Sequence, residues 1–158
     1  MNNTANNRDV SLTCSKELLN LFEKESRENS KVPLETLGIL MGKKTGENSF
    51  SVENLLLPPQ NANTAISCEM TDDAPLVALV EQLRKHYKDE VSSLGFIHSH
   101  PRMSSFLSTI DLNNLFSWQT QHNLPFKVSL VLGIFNISCL TCRWLLLLPM
   151  LHCTLMAN

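Results

Sequence analysis

The stretch SSLGFIHSHPRMSSFLSTIDL, residues 92–112, predicts a strand, a turn and the beginning of a helix. Apolar residues fill the strand, and Pro101 ends it because proline has no backbone N–H to donate to a sheet. Side chains alternate between the two faces of a strand, so His98 and His100 point to one face and Ser99 to the other. Two imidazoles on one face at a strand end are a natural pair of metal ligands.

A carboxylate follows the two histidines at an interval that suits the same metal. Asp111 falls in the first turn of the next helix, which begins at Ser105 or Ser108 and extends to about residue 121. In catalytic zinc sites, a common ligand set is two histidines and one carboxylate, with a position left for water. A serine three residues before an acid is also an ordinary helix cap, and a His-x-His pair also occurs without a metal. Both interpretations stay open at this point.

A water activated by zinc needs a group that accepts its proton, and Glu35 is the candidate for that role. A glutamate beside the metal, not bound to it, takes the proton and gives it to the leaving amine. Glu35 precedes the apolar run LGILMG, residues 37–42, which predicts a buried strand. We therefore expect its carboxylate at the edge of the sheet near the histidines.

The rest of the chain predicts a mixture of strands and helices. The predicted elements are a strand at residues 10–13, a helix at 16–28 capped by Ser15, a hairpin at 37–57, a helix at 74–90 and a strand at 127–135. This succession indicates an α/β (α+β) domain.

Composition and charge limit the function classes. The 158 residues, 43% hydrophobic and 18% charged, suit one folded domain. A net charge of -2 argues against a nucleic-acid-binding protein, which normally carries a basic patch. The polar N-terminus has no apolar signal segment, and five cysteines are an odd, scattered set. Both features favour a reducing compartment, and so the cytoplasm.

The residues singled out above resemble the motif of the JAMM (MPN+) metalloprotease family. That motif is an upstream glutamate, then His-x-His-Pro, then Ser-x-x-Asp after seven residues counted from the second histidine. Glu35, His98, His100, Ser108 and Asp111 match it in type and spacing. Within the family, the segments LETLGILMGK, CEMTDD and SFLSTIDL are similar to those of the AMSH deubiquitinases, and the likeness covers roughly residues 10–132.

The resemblance implies a curved, mostly antiparallel sheet flanked by helices. It implies a hydrolase, a zinc-dependent deubiquitinase that cleaves isopeptide bonds in polyubiquitin, preferentially in lysine-63-linked chains. His98, His100 and Asp111 would bind one catalytic Zn2+. Glu35 would be the general base and then the general acid, and Ser108 would hydrogen-bond the tetrahedral oxyanion.

The resemblance also implies contacts with ubiquitin and with other proteins. Phe106 and Leu107 lie in a segment that contacts ubiquitin in AMSH enzymes, and ordinary core packing explains the pair equally well. Polyubiquitin would be the substrate, and the endosomal sorting (ESCRT) machinery a candidate partner, which adds endosomes to the cytoplasm as a location. Two alternatives stay open: a non-catalytic MPN scaffold or binding module, and a JAMM peptidase acting on another ubiquitin-like protein.

These observations divide the chain into three parts. We expect a disordered tail at residues 1–9, an MPN/JAMM catalytic domain at residues 10–136 and an aberrant hydrophobic segment at residues 137–158. Three interpretations of the last segment are open: a truncated or mis-spliced end, a membrane anchor, or a buried strand and helix. Its cysteines leave a second, structural zinc open too, although their spacing matches no standard zinc finger.

Overall fold

The computed structural model describes residues 10–28, 34–60, 74–88, 90–101, 103–121, 126–132, 137–143 and 151–157. The elements are β1 (Val10–Cys14), α1 (Lys16–Glu28), β2 (Leu37–Gly46), β3 (Ser49–Leu56), α2 (Ala74–His86), β4 (Ser92–Ser99), α3 (Thr109–Gln121), β5 (Phe126–Leu132), β6 (Ile137–Arg143) and β7 (Leu151–Ala157). The tail predicted at residues 1–9 lies outside the described residues.

Helix α1 forms with the bounds that its sequence predicts. Ser15 caps it, because the Leu18 N–H donates a hydrogen bond to Ser15 Oγ at 3.3 Å. The carbonyl oxygen of Ser15 accepts the first backbone hydrogen bond of the helix, from the Leu19 N–H at 3.3 Å. Phe22 on the inner face is fully buried, so the helix is held against the sheet by an apolar contact.

The strands form one curved sheet that closes on itself. Its order is β1-β3-β2-β4-β5-β6-β7, and β7 pairs with β1. Antiparallel pairings join β2 to β3 and β4, and β6 to β5 and β7. Parallel pairings join β1 to β3 and β7, and β4 to β5, which helix α3 connects. The predicted α+β fold with a mainly antiparallel sheet is confirmed, and the parallel pairs make the sheet mixed.

Both faces of the central strand β2 are buried. Leu40 joins an apolar cluster that contains Phe22 of α1. Its neighbours Ile39 and Met41 point the other way and join a second cluster, which contains Leu115 of α3. A strand covered on both faces needs apolar residues at every position, which is why β2 lacks the alternation of a surface strand.

The segment at residues 137–158 contributes two strands to the sheet. Strand β6 pairs antiparallel with β5, and β7 pairs parallel with β1 along five residues from Val10↔Cys153 to Cys14↔Ala157. Among the helices that the structure describes, none is long and apolar enough to cross a membrane. The interpretation as a truncated or mis-spliced end concerns the origin of the sequence and stays a prediction.

The close approach of β2 to β3 yields a stability prediction at Gly42. A Cβ atom at Gly42 would lie 2.0 Å from Ser51 O and 2.6 Å from Leu94 Cδ1. The backbone oxygen cannot give way cheaply, so Gly42→Ala should lower the free energy of unfolding by about 2–3 kcal/mol. Urea denaturation measures this difference.

Gly46→Ala is the matched control, because it makes the same change on the same strand. Its nearest neighbour would be Ser49 Cβ at 3.3 Å, which leaves room for a small adjustment. We expect a change under about 1 kcal/mol. Equal losses in the two variants would show that the close approach at Gly42 is not the cause.

Candidate metal centre

Strand β4 brings two histidines into the interior of the domain. His98 and His100 are only 1% and 2% exposed, because β4 is buried on both faces along its second half. Their rings lie edge to face with centroids 4.8 Å apart. The backbone N–H of His100 donates to Leu132 O at 2.7 Å, so the pairing with β5 fixes the histidine just beyond the strand.

The donor atoms of three residues converge. Nε2 of His98 lies 3.0 Å from Nε2 of His100 and 3.4 Å from Oδ2 of Asp111. One ligand atom from each residue lies within 4.8 Å of the other two. Two ligands of a tetrahedral zinc ion, each about 2.0–2.1 Å from the metal, lie roughly 3.3 Å apart. The two separations from His98 are close to this value, and the donor chemistry suits a zinc ion. We call His98, His100 and Asp111 the metal group.

Hydrogen bonding prepares His100 to bind a cation. Its Nδ1–H donates to the carbonyl oxygen of Ser104 at 3.1 Å, which leaves the lone pair of Nε2 facing the site. Burial lowers the pKa of His100 and so favours the neutral ring that metals require. Nδ1 of His98 has no hydrogen-bond partner among the described residues, so no contact there selects its tautomer.

Asp111 and Ser108 hold one another at the beginning of α3. The Ser108 N–H donates to Asp111 Oδ2 at 2.7 Å, and the Asp111 N–H donates to Ser108 Oγ at 3.2 Å. This is the reciprocal cap that the Ser-x-x-Asp pattern predicts, and it coexists with the metal group. Burial opposes the charge of Asp111, but hydrogen bonds from His98 and Ser108 outweigh it and bring its pKa to about 2.

Glu35 lies just before β2, beside the metal group. It is 4% exposed, and its Oε1 is 3.7 Å from Nε2 of His100. Burial, and to a smaller extent the charge of Asp111, raise the pKa of Glu35, although His98 acts in the opposite direction. The structure thus brings together all five residues of the predicted catalytic and ligand set, while their roles remain predictions.

The two residues predicted to contact ubiquitin occupy different environments. Phe106 is 43% exposed and its ring stacks edge to face on His100, with centroids 5.0 Å apart. Leu107 is half-buried and packs against the apolar cluster of Met41 and Leu115. Core packing accounts for Leu107, whereas Phe106 forms an exposed rim beside the metal group.

The sequence does not predict two polar side-chain contacts near Glu35. The Ser99 side chain hydrogen-bonds the backbone of Thr36. The Gln60 side chain hydrogen-bonds the backbone of Leu37. Contacts to a distant backbone leave no pattern in the sequence. The alternation rule indicates that Ser99 points away from the histidines, but not what it binds.

One protein-family model matches most of the chain. It is described as JAB1/Mov34/MPN/PAD-1 ubiquitin protease, and it matches residues 9–123. The match contains the whole metal group, together with Glu35 and Ser108.

Curated relatives match over a similar part of the chain. An AMSH-like protease of Schizosaccharomyces pombe is 35% identical over 118 residues, which are 70% of this chain and 25% of that protein. A STAM-binding protein-like A of Danio rerio is 31% identical over 73% of this chain and 25% of its own. The 26S proteasome regulatory subunit RPN11 of Candida glabrata is 29% identical over 58% of this chain and 29% of its own. The chain thus spans about a quarter of the length of these relatives.

A solved structure shares the fold. The solution structure of a protein from Desulfitobacterium hafniense superposes with a TM-score of 0.61 at 19% sequence identity. The superposition covers 93% of this chain and 94% of the other. At this level of identity the likeness supports the architecture alone.

The convergent donors predict that zinc stabilises the folded protein. Zinc at about 100 times its dissociation constant adds about 2.7 kcal/mol. For a domain of this size that corresponds to a rise of roughly 5–10 °C in Tm, measured by differential scanning calorimetry. His98→Ala should abolish the rise. His86→Ala, which removes an exposed histidine of α2, is the control and should retain the rise in Tm. A rise in His98→Ala equal to that of the wild type would exclude His98 as a ligand.

The low pKa of Asp111 predicts a pH-dependent contribution to stability. A carboxyl whose pKa is lower in the folded state stabilises the fold above its ordinary value of 3.8, and the contribution disappears as the pH falls towards about 2. With a chelator present, Asp111→Asn should lower the free energy of unfolding by about 2 kcal/mol at pH 6. The difference should shrink below about pH 4. A difference that does not vary with pH would contradict the assignment.

Proposed function

The chain belongs to the JAB1/Mov34/MPN/PAD-1 ubiquitin protease family, and on that premise we propose that it is a zinc-dependent isopeptidase that cleaves polyubiquitin. One observation carries the proposal. A buried glutamate, a capping serine and three convergent side chains with donor atoms suited to a metal meet at one point of the fold. The alternative of a non-catalytic scaffold has less support, because a scaffold has no need of this complete set.

A zinc ion held by His98, His100 and Asp111 would act as a Lewis acid towards the scissile carbonyl and lower the pKa of water in the site. Glu35 accepts a proton from the attacking water and then delivers it to the departing lysine amine. Burial raises the pKa of Glu35, which suits a carboxyl that must carry a proton during part of each turnover. Its Oε1, 3.7 Å from His100 Nε2, is near enough to serve the metal group.

Ser108 stabilises the negative charge that develops on the carbonyl oxygen. Its Oγ accepts a hydrogen bond from the Asp111 N–H at 3.2 Å, so its own O–H remains to donate to an oxyanion. The reciprocal bond from the Ser108 N–H to Asp111 holds the serine in place before the substrate arrives. A donor fixed in advance is worth more than one that must reorient during the reaction.

Polyubiquitin is the proposed substrate, with lysine-63-linked chains preferred. The preference is supported by the resemblance of LETLGILMGK and SFLSTIDL to AMSH segments and by the AMSH-like relative. Phe106 supplies an exposed aromatic surface beside the site for a ubiquitin contact. By analogy with the STAM-binding relative, we propose endosomal sorting proteins as partners and the cytoplasm or endosomes as the location.

Replacement of Glu35 provides the test. Glu35→Gln keeps the shape of the side chain but cannot accept a proton, so kcat on lysine-63-linked di-ubiquitin should fall by at least about 10³-fold. Zinc content, measured by mass spectrometry of the metal, should remain near one ion per chain. Glu81→Gln, which changes an exposed glutamate of α2, is the matched control and should keep the wild-type rate.

The same assay separates the components of the proposal. Cleavage by Glu35→Gln at the wild-type rate, or cleavage that survives a chelator, would refute the mechanism. Equal rates on lysine-63-linked and lysine-48-linked di-ubiquitin would remove the linkage preference alone. A zinc-loaded wild-type protein that cleaves neither substrate would favour the scaffold.

A further inference from the structure

Glu35 lies outside the regular strands, and hydrogen bonds to the next residue fix its place. The Thr36 N–H donates to Ser99 Oγ at 2.9 Å, and the Ser99 N–H donates to Thr36 O at 2.9 Å. Thr36 is 1% exposed and Ser99 is 3% exposed. Ser99 therefore binds both backbone polar groups of Thr36 in a site that excludes water.

The register of β2 against β4 explains what this bridge does. Leu37 pairs with His98, so one further step along the two antiparallel strands sets Thr36 opposite Ser99, and a second step sets Glu35 opposite His100. Opposite residues of an antiparallel pair present their side chains on one face. The bridge at Thr36 thus extends the pairing that brings the Glu35 carboxylate to the histidines.

The bridge departs from a regular ladder at one atom. In a hydrogen-bonded antiparallel pair each residue donates its N–H to the carbonyl oxygen of the other. Here the Thr36 N–H donates instead to the side-chain oxygen of Ser99. The backbone next to Glu35 is therefore held by one main-chain hydrogen bond and by one bond to a hydroxyl group, and substitution can remove the second.

A second side chain fixes the following residue from another part of the chain. Gln60 Oε1 accepts a hydrogen bond from the Leu37 N–H at 2.7 Å, and Gln60 Nε2–H donates to Leu37 O at 2.6 Å. The Gln60 amide thereby fixes the first residue of β2. Among the described residues, Ser99 supplies the side-chain hydrogen bond to the backbone directly beside Glu35.

We propose that Ser99, which lies between the two histidines, is a positioning residue that holds Glu35 over the metal group through the backbone of Thr36. The proposal rests on the proposed isopeptidase function and adds a residue to it. Ser99 is not one of the converging donor residues, and its hydroxyl contacts the backbone of Thr36, so in this proposal it acts only through Glu35. Displacement of a catalytic group by about 1 Å can lower a rate by about 10²-fold, so loss of the hydroxyl bond to the Thr36 N–H should be visible in turnover.

The experiment compares four proteins in the full chain: wild type, Ser99→Ala, Ser99→Thr and Ser129→Ala. Ser99→Ala removes the acceptor, whereas Ser99→Thr keeps the hydroxyl on a residue that suits a strand. Ser129→Ala is the matched control, since Ser129 is equally buried on the adjacent strand and its Oγ has no hydrogen-bond partner among the described residues. Zinc content and urea midpoints show that each protein is folded and loaded.

Two readouts are expected to change together. In Ser99→Ala, kcat on lysine-63-linked di-ubiquitin should fall by about 10–100-fold with KM within about twofold, and zinc content should not change. Amide hydrogen exchange of Thr36, measured by NMR on the metal-free protein, should be at least about tenfold faster. Ser99→Thr should restore both readouts, and Ser129→Ala should alter neither.

The outcomes distinguish this proposal from the proposed function. If wild type cleaves di-ubiquitin and Ser99→Ala has the same kcat, Ser99 does not position Glu35. A fall in kcat that Ser129→Ala reproduces, or one that a folded Ser99→Thr protein does not rescue, would also overturn it.

If Ser99→Thr does not fold, Ser99→Cys replaces it. Sulfur is a poor acceptor, so that variant should show the loss seen with alanine. If wild type is inactive, the proposed function fails, and unchanged exchange at Thr36 in Ser99→Ala would separately refute the bridge.

Discussion

The pairing of β2 with β4 is the constraint on which the rest of the site depends. Leu37 opposite His98 sets Glu35 opposite His100, and a slip of one residue would turn every side chain of β4 to the other face. Such a slip is costly because both faces of these strands are buried and fill separate apolar clusters. The apolar interior therefore fixes the register on which the polar site depends.

Without a metal, burial of this polar site lowers the stability of the folded protein. Two histidines and a glutamate are buried, and Nδ1 of His98 has no hydrogen-bond partner among the described residues. Two ring nitrogens 3.0 Å apart can share at most one proton between them, whereas a cation satisfies both. The site is thus arranged for an occupant, and folding and metal binding should be coupled.

Much of the fold and the site could be predicted because the responsible signals are local. Ser15 and Ser108 act as caps on helices that begin beside them, and the shared face of His98 and His100 follows from strand alternation.

Helix α2 ends earlier than its pattern suggests, shortly before Lys88, which adopts a φ of 51°. The partnership of β1 with β7 and the bonds from Ser99 and Gln60 to distant backbone atoms could not be predicted, because they depend on residues far apart in the chain. Phe106 and Leu107 are adjacent in a loop with no periodicity, so only the structure separates the exposed ring from the packed one.

The closure of the sheet has a consequence for biosynthesis. Strand β1 pairs with β3 on one side and with β7 on the other, where Ser11 meets Thr154. A ribosome delivers β7 long after β1, so one edge of the first strand waits unpaired while nearly the whole domain is made. Contacts between such distant residues form slowly, and an open strand edge invites pairing with other chains. Completion of this sheet is therefore a late step in the folding of these residues, and a chain that has not yet made β7 has an open strand edge for chaperones to protect.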